Sequence, residues 1–157
     1  MRGGGDLVKK LSSTKYLVEN VKNLTAGMTE KQVREELGVH PDTHRKVLNG
    51  DISTLSLTVI QRYAINSDIG ISELFLHPDL VDQYTAWYRE SQLYCFSQNF
   101  KDYMDVNGVK PKDVVESMGK TRNIIRGYQN GLYYPRIGDL DRIADVLGVE
   151  VADLFLP

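Results

Sequence analysis

The chain states one pattern twice. Asn49-Gly50 returns as Asn130-Gly131 and Gly38 returns as Gly119, both 81 residues later, while Leu74-Phe75-Leu76 returns as Leu154-Phe155-Leu156, 80 residues later. One residue of slack is what a single loop insertion leaves. Self-similarity at a fixed offset marks two diverged copies of one small unit. A length of 157 residues accommodates two units of roughly 60 to 75 residues, a size at which a well-packed helical domain buries enough surface to fold.

The spacing of apolar residues makes both copies helical. Residues 1–5 read as a disordered N-terminus, and Leu7, Val8 and Leu11 as a short leading helix. Ser12-Ser13-Thr14 then caps a helix bearing Leu17, Val18, Val21 and Leu24. Thr29 caps a helix that Gly38 ends, and His40 with Pro41 opens a helix ending at Asn49-Gly50. Helices from Leu57 to about Ala64 and from Ile71 to Leu76 close the first copy. The second copy runs the same course: an apolar face of Phe96, Phe100, Tyr103 and Met104, a helix from Pro111 to Gly119, a helix capped by Thr121 and ended by Asn130-Gly131, then Ile137 to Leu147 and Val151 to Leu156. Between the copies, Leu80, Tyr84, Trp87, Tyr88, Ser91 and Cys95 lie near one helical face, which predicts an aromatic-rich connecting helix over 79–95. The expected organisation is a first domain over 6–78, that helix, and a second domain over 96–157, all α-helical.

Composition narrows the function classes. With 41% hydrophobic residues and 25% charged, the chain reads as an ordinary soluble protein, and no apolar run reaches the roughly 18 residues of a membrane span. Met1-Arg2-Gly3-Gly4-Gly5 does not open a secretory signal, which predicts a cytoplasmic protein. The single cysteine, Cys95, has no internal disulfide partner. His40 and His44 share a helical spacing that suits a metal, but no cysteine or carboxylate set completes it, so no metal, cofactor or catalysis is expected. The net charge is −2, yet its placement is uneven. From Lys120 to Arg136 the basic residues Lys120, Arg122, Arg126 and Arg136 meet no acid, whereas Asp139, Asp141, Asp145, Glu150 and Asp153 dominate the rest. A basic run on one helix is the footprint of an anionic partner.

Two short helices joined by a glycine-containing turn form a helix-turn-helix, whose second helix enters the DNA major groove. Val114-Val115, Gly119, Ile125, Tyr128, Asn130-Gly131, Tyr134-Pro135, Gly148-Val149 and Asp153-Leu154-Phe155 closely resemble the Cro/C1-type, lambda-repressor-like helix-turn-helix family of phage and plasmid repressors. The resemblance covers residues 98–157 strongly and 15–78 moderately. It implies two such domains in one chain, an internal pseudo-dimer similar in architecture to DNA-binding proteins of Gram-positive conjugative plasmids.

The resemblance also implies a set of contacts. Thr121, Arg122, Asn123 and Arg126 in the second copy, and His40, Thr43 and Arg45 in the first, fall where base edges are read. Lys112, Lys120, Tyr133, Tyr134, Arg136 and Lys46 fall where phosphates are held. Arg122 suits guanine and Asn123 adenine. In the first copy Arg34 and His44 replace the small residue and the apolar anchor of the family pattern, and Asp42 faces the reading side. The implied function is sequence-specific binding of double-stranded DNA, as a repressor or a promoter- or transfer-region factor of a mobile element, by a monomer. Two rivals stand beside it: a protein-binding, antitoxin-like module with a degenerate first copy, and a homodimer joined through the Tyr84/Trp87/Tyr88 helix that reads DNA with its second copy alone.

Overall fold

The computed structural model describes residues 13–80 and 88–157. The leading helix, Tyr84, Trp87 and the first five residues lie outside them. Among the described residues the fold is carried by α1 (Ser13–Leu24), α2 (Glu30–Gln32, continued by a π turn over Val33–Leu37), α3 (Pro41–Leu48), α4 (Leu57–Asn66), α5 (Phe96–Val106), α6 (Pro111–Met118), α7 (Arg122–Gln129) and α8 (Leu140–Leu147). Single 3-10 turns at Ile71–Phe75 and Val151–Phe155 close the two series. Thus α1–α4 with its closing turn and α5–α8 with its own follow one order.

Local chemistry explains the matching boundaries. Thr29 caps α2 reciprocally with Gln32, and at the corresponding start of α6 the Asp113 carboxylate accepts the Lys110 amide at 2.8 Å. Gly38 and Gly119 both adopt left-handed backbone, at φ 70° and 65°, where a Cβ would be strained. A pair of asparagines does the same work in each series. Asn20 Nδ2 donates to the carbonyls of Leu74 (2.9 Å) and Leu76 (2.8 Å), and Asn99 Nδ2 donates to those of Leu154 (3.0 Å) and Leu156 (2.6 Å). The repeated Leu-Phe-Leu is therefore tied down by a repeated side-chain amide, buried at Asn20 and half-buried at Asn99, satisfying carbonyls that no helix would use.

The two series share one core. Leu17, Val21, Val33, Val47, Ile60 and Tyr63 from the first and Phe96, Phe100, Val114, Ile125, Ile143 and Phe155 from the second belong to one buried apolar cluster. Contacts across the middle pair positions 80 apart. Phe75 stacks on Phe155 with ring centroids 5.8 Å apart. The Ser72 hydroxyl donates to the Ala152 carbonyl at 2.6 Å, and Ser56 and Arg136 form an isolated antiparallel bridge. Beside that bridge, Ile137 N donates to Leu55 O and Gly138 N to Ser53 O at 2.9 Å.

The described residues of the connecting segment do not form the continuous helix over 79–95 that apolar spacing predicts. Pro78–Leu80 is a 3-10 turn, the chain is helical at Tyr88 and Arg89, and Gln92 is extended at φ −137°, ψ 153° before a second 3-10 turn at Leu93–Cys95. Ser91 breaks the helix by competing for its hydrogen bonds. Its hydroxyl donates to the Tyr88 carbonyl and accepts the Ser72 amide, while its carbonyl accepts the Ile71 amide and the Gln92 amide donates to Phe155 O. The segment thus knits both series together. Tyr88 is half-buried against the core, Cys95 is buried, and Tyr94 is 74% exposed.

Candidate nucleic-acid interface

The basic run falls on α7. Thr121 caps this helix, its hydroxyl accepting the Ile124 amide at 3.4 Å, and the Gly119 amide closes α6 on Val115 O at 2.9 Å. Ile125, Gly127 and Tyr128 face inward and are buried, whereas Thr121, Arg122, Asn123 and Arg126 are exposed. Tyr128 packs edge-on against Phe96 and Phe100. A helix held by one apolar edge with its first polar residues outward is the geometry of a reading helix. Arg122, Arg126 and Gln129 with Pro111 line an open hollow where α7 meets the start of α6. Neither arginine has an ion-pair partner among the described residues, so their charge faces solvent undivided.

The expected phosphate-holding residues surround this helix unequally. Lys112 is exposed on α6. Lys120 lies 3.6 Å from Asp139, which shares its charge. Tyr133 and Tyr134 are exposed to 51% and 37%, the second with its ring edge-on to Phe96. Arg136 is exposed, and its backbone makes the bridge to Ser56.

In the first series the corresponding helix is α3, and His40, Asp42 and Arg45 there already have partners. The Arg45 guanidinium donates from Nε to Glu30 at 2.6 Å and from NH1 to Asp42 at 2.6 Å. These hydrogen bonds, Glu30 foremost, raise the Arg45 pKa and hold the Glu30 carboxyl below its usual range. His40 is spent on capping, its Nδ1 accepting the Asp42 amide at 3.1 Å. Thr43 is half-buried, and Lys46 is exposed without an ion-pair partner among the described residues. The two faces therefore differ in kind: α7 offers free cations, and α3 offers a nearly self-neutralised surface.

His44 fills the inward anchor position as the residue pattern implies. It is buried and hydrogen-bonded to the Tyr63 hydroxyl at 2.7 Å, whereas His40 is exposed, and no three metal-ligating side chains gather among the described residues. Burial lowers its pKa. Since the unfolded chain then takes up the proton first, the stability contributed by neutral His44 is complete above about pH 6.5 and declines as the pH falls through that value. The melting temperature is expected to drop between pH 7 and 5, above the carboxylate range, and His44→Gln is expected to flatten that slope. An unchanged slope in His44→Gln would assign the pH dependence to other groups.

Residues 99–156 match the family model of the Cro/C1-type HTH (helix-turn-helix) DNA-binding domain. This segment is a Cro/C1-type domain. The match spans α5 from Asn99 through the closing turn and so includes α6, α7 and the glycine turn between them. Such a domain implies DNA binding. No curated protein and no solved structure matches the chain significantly. No helix among the described residues is long and apolar enough to cross a membrane.

The family resemblance, together with the basic run, points to α7 and its exposed positions. It misses Asn20 and Asn99, although their near-equal distance from the two Leu-Phe-Leu segments is a readable signal. It also misses Gly127, where an added Cβ would enter the Tyr133 ring.

Proposed function

We propose that the chain is a sequence-specific double-stranded DNA-binding regulator of transcription, built as an internal pseudo-dimer of two Cro/C1-like units over 6–78 and 96–157. The observation that carries the DNA reading is that Arg122 and Arg126 are exposed, with no ion-pair partner among the described residues, on a helix within the Cro/C1-type match. Support for the pseudo-dimer comes from the middle contacts. Phe75 on Phe155, Ser72 on Ala152 and Ser56 on Arg136 each join corresponding positions of the two series, which is how an isologous, twofold interface pairs a surface with itself. Separate dimers of such domains place reading helices about 34 Å apart. Covalent linkage would supply the second helix at high effective concentration.

The halves read unequally under this proposal. Arg122 and Asn123 specify bases, each contact worth about 1–3 kcal/mol of discrimination. Thr121 and Arg126 join them, while Lys112, Tyr133, Tyr134, Arg136 and, less strongly, Lys120 hold phosphates. In the first half Lys46 is left to touch DNA, and His40, Thr43 and Arg45 read bases only if their present hydrogen bonds are exchanged. The neutralised α3 face favours a protein-binding role for that half alone. A role as a repressor of a phage or conjugative plasmid follows the family resemblance and the paired architecture.

Arg122→Ala and Asn123→Ala are expected to lower affinity for the preferred site by about ten-fold and random duplex much less. Arg136→Ala is expected to weaken both alike and to shallow the salt dependence by about one unit. Equal losses on specific and random duplex for Arg122→Ala would remove it from the base-reading set. Titration of fluorescent duplexes at several salt concentrations measures all three.

A further inference from the structure

Gly127 stands in the middle of the reading helix, where alanine would favour the helix more. The reason lies outside the helix. A Cβ built on Gly127 would overlap the Cδ2 and Cε2 atoms of Tyr133, whose ring lies directly against the helix backbone. The segment after the helix is tied at the same residue, since Leu132 N (2.9 Å) and Tyr133 N (3.4 Å) both donate to the Gly127 carbonyl. Beyond it, Tyr134 rests edge-on against Phe96 and Pro135 is buried. Tyr133 is therefore a half-exposed aromatic held on both sides, its ring packed on Gly127, the helix position next to Arg126.

We propose that Gly127 is a positioning residue that seats Tyr133 beside α7 so that the Tyr133 hydroxyl meets the DNA backbone and widens the contact surface of the helix. This inference rests on the reading that the 99–156 domain binds duplex DNA. A glycine fits here because only a bare backbone lets an aromatic ring approach this closely. A phenol donating to a phosphate positions the helix without choosing bases.

The test compares wild type, Tyr133→Phe, Tyr133→Ala, Gly127→Ala and the double variant Gly127→Ala/Tyr133→Ala in the full chain, on the preferred duplex and on random duplex, with melting temperatures alongside. Loss of the hydroxyl in Tyr133→Phe should weaken both duplexes by about three- to ten-fold at unchanged melting temperature. Gly127→Ala should weaken them about ten-fold, and the double variant should bind as Tyr133→Ala does while melting at or above it, because the helix regains alanine once the ring is gone. Should Gly127→Ala fail to fold, the double variant set against Tyr133→Ala still decides the coupling. Wild-type affinity in both tyrosine variants, or a Gly127→Ala loss that adds in full to that of Tyr133→Ala, would overturn the inference while leaving DNA binding intact. A wild-type chain that binds no duplex would remove both.

Discussion

Phe155→Ala is expected to destabilise the chain by about 3–5 kcal/mol, the range for emptying a fully buried phenylalanine site. Its ring stacks on Phe75 and packs 6.1 Å from Phe96, and it is wholly excluded from solvent. The cavity would open where the two helical series meet, lined by residues of both. For a chain of this size that loss corresponds to a fall in melting temperature of roughly 10 °C. Because the core is shared, calorimetry should show one transition moving as a whole. A variant in which 96–157 melts early while the first series keeps the wild-type temperature would mean that the two series do not support each other. DNA affinity of the folded Phe155→Ala chain should change little, since α7 is anchored by Ile125 and Tyr128 instead.

Gly70→Ala is expected to be nearly as damaging, about 3 kcal/mol, through the opposite mechanism. The added Cβ would run into the carbonyl of Tyr88 and the hydroxyl of Ser91. Neither can withdraw freely. Ser91 Oγ is bound to the Ser72 amide at 2.8 Å, and the Gly70 amide donates to Glu73 Oε2 at 2.6 Å, so backbone on both sides is pinned by hydrogen bonds. The expected readout is a lower midpoint in urea with an unchanged slope. A midpoint within a few tenths of a molar of wild type would show that the segment after Tyr88 moves aside at little cost.

The pair of variants also shows what residue spacing reveals and what it does not. Helix starts and stops depend on a few neighbouring residues, so Thr29, Pro41, Pro111, Thr121 and the left-handed Gly38 and Gly119 are legible from the chain. The repeated Leu-Phe-Leu is equally plain as a repeat. That Phe75 and Phe155 face each other is not, because their contact joins residues 80 apart and leaves no local pattern. Arg45 makes the same point at the site. Its position on α3 suits a base-reading residue, but Glu30 reaches it from another helix 15 residues away, and the charge is largely answered within the protein. Lys120 is tempered likewise by Asp139. Ser91 falls by its spacing on the face of a helix, yet its hydroxyl donates to the Tyr88 carbonyl and accepts the Ser72 amide where the chain leaves the helix. What remained invisible was long-range polar pairing, whereas local caps and apolar periodicity were readable.

Selection of the pure full chain on a randomised duplex library at moderate salt, with sequencing of the retained DNA, tests the central claim most directly. An enriched site with one strongly specified half, matched to α7, and a weaker unlike half about one helical turn away is the predicted result. Retention without any enriched sequence, weak and abolished by modest salt, would contradict it and leave the neutralised α3 face and a protein partner as the better account.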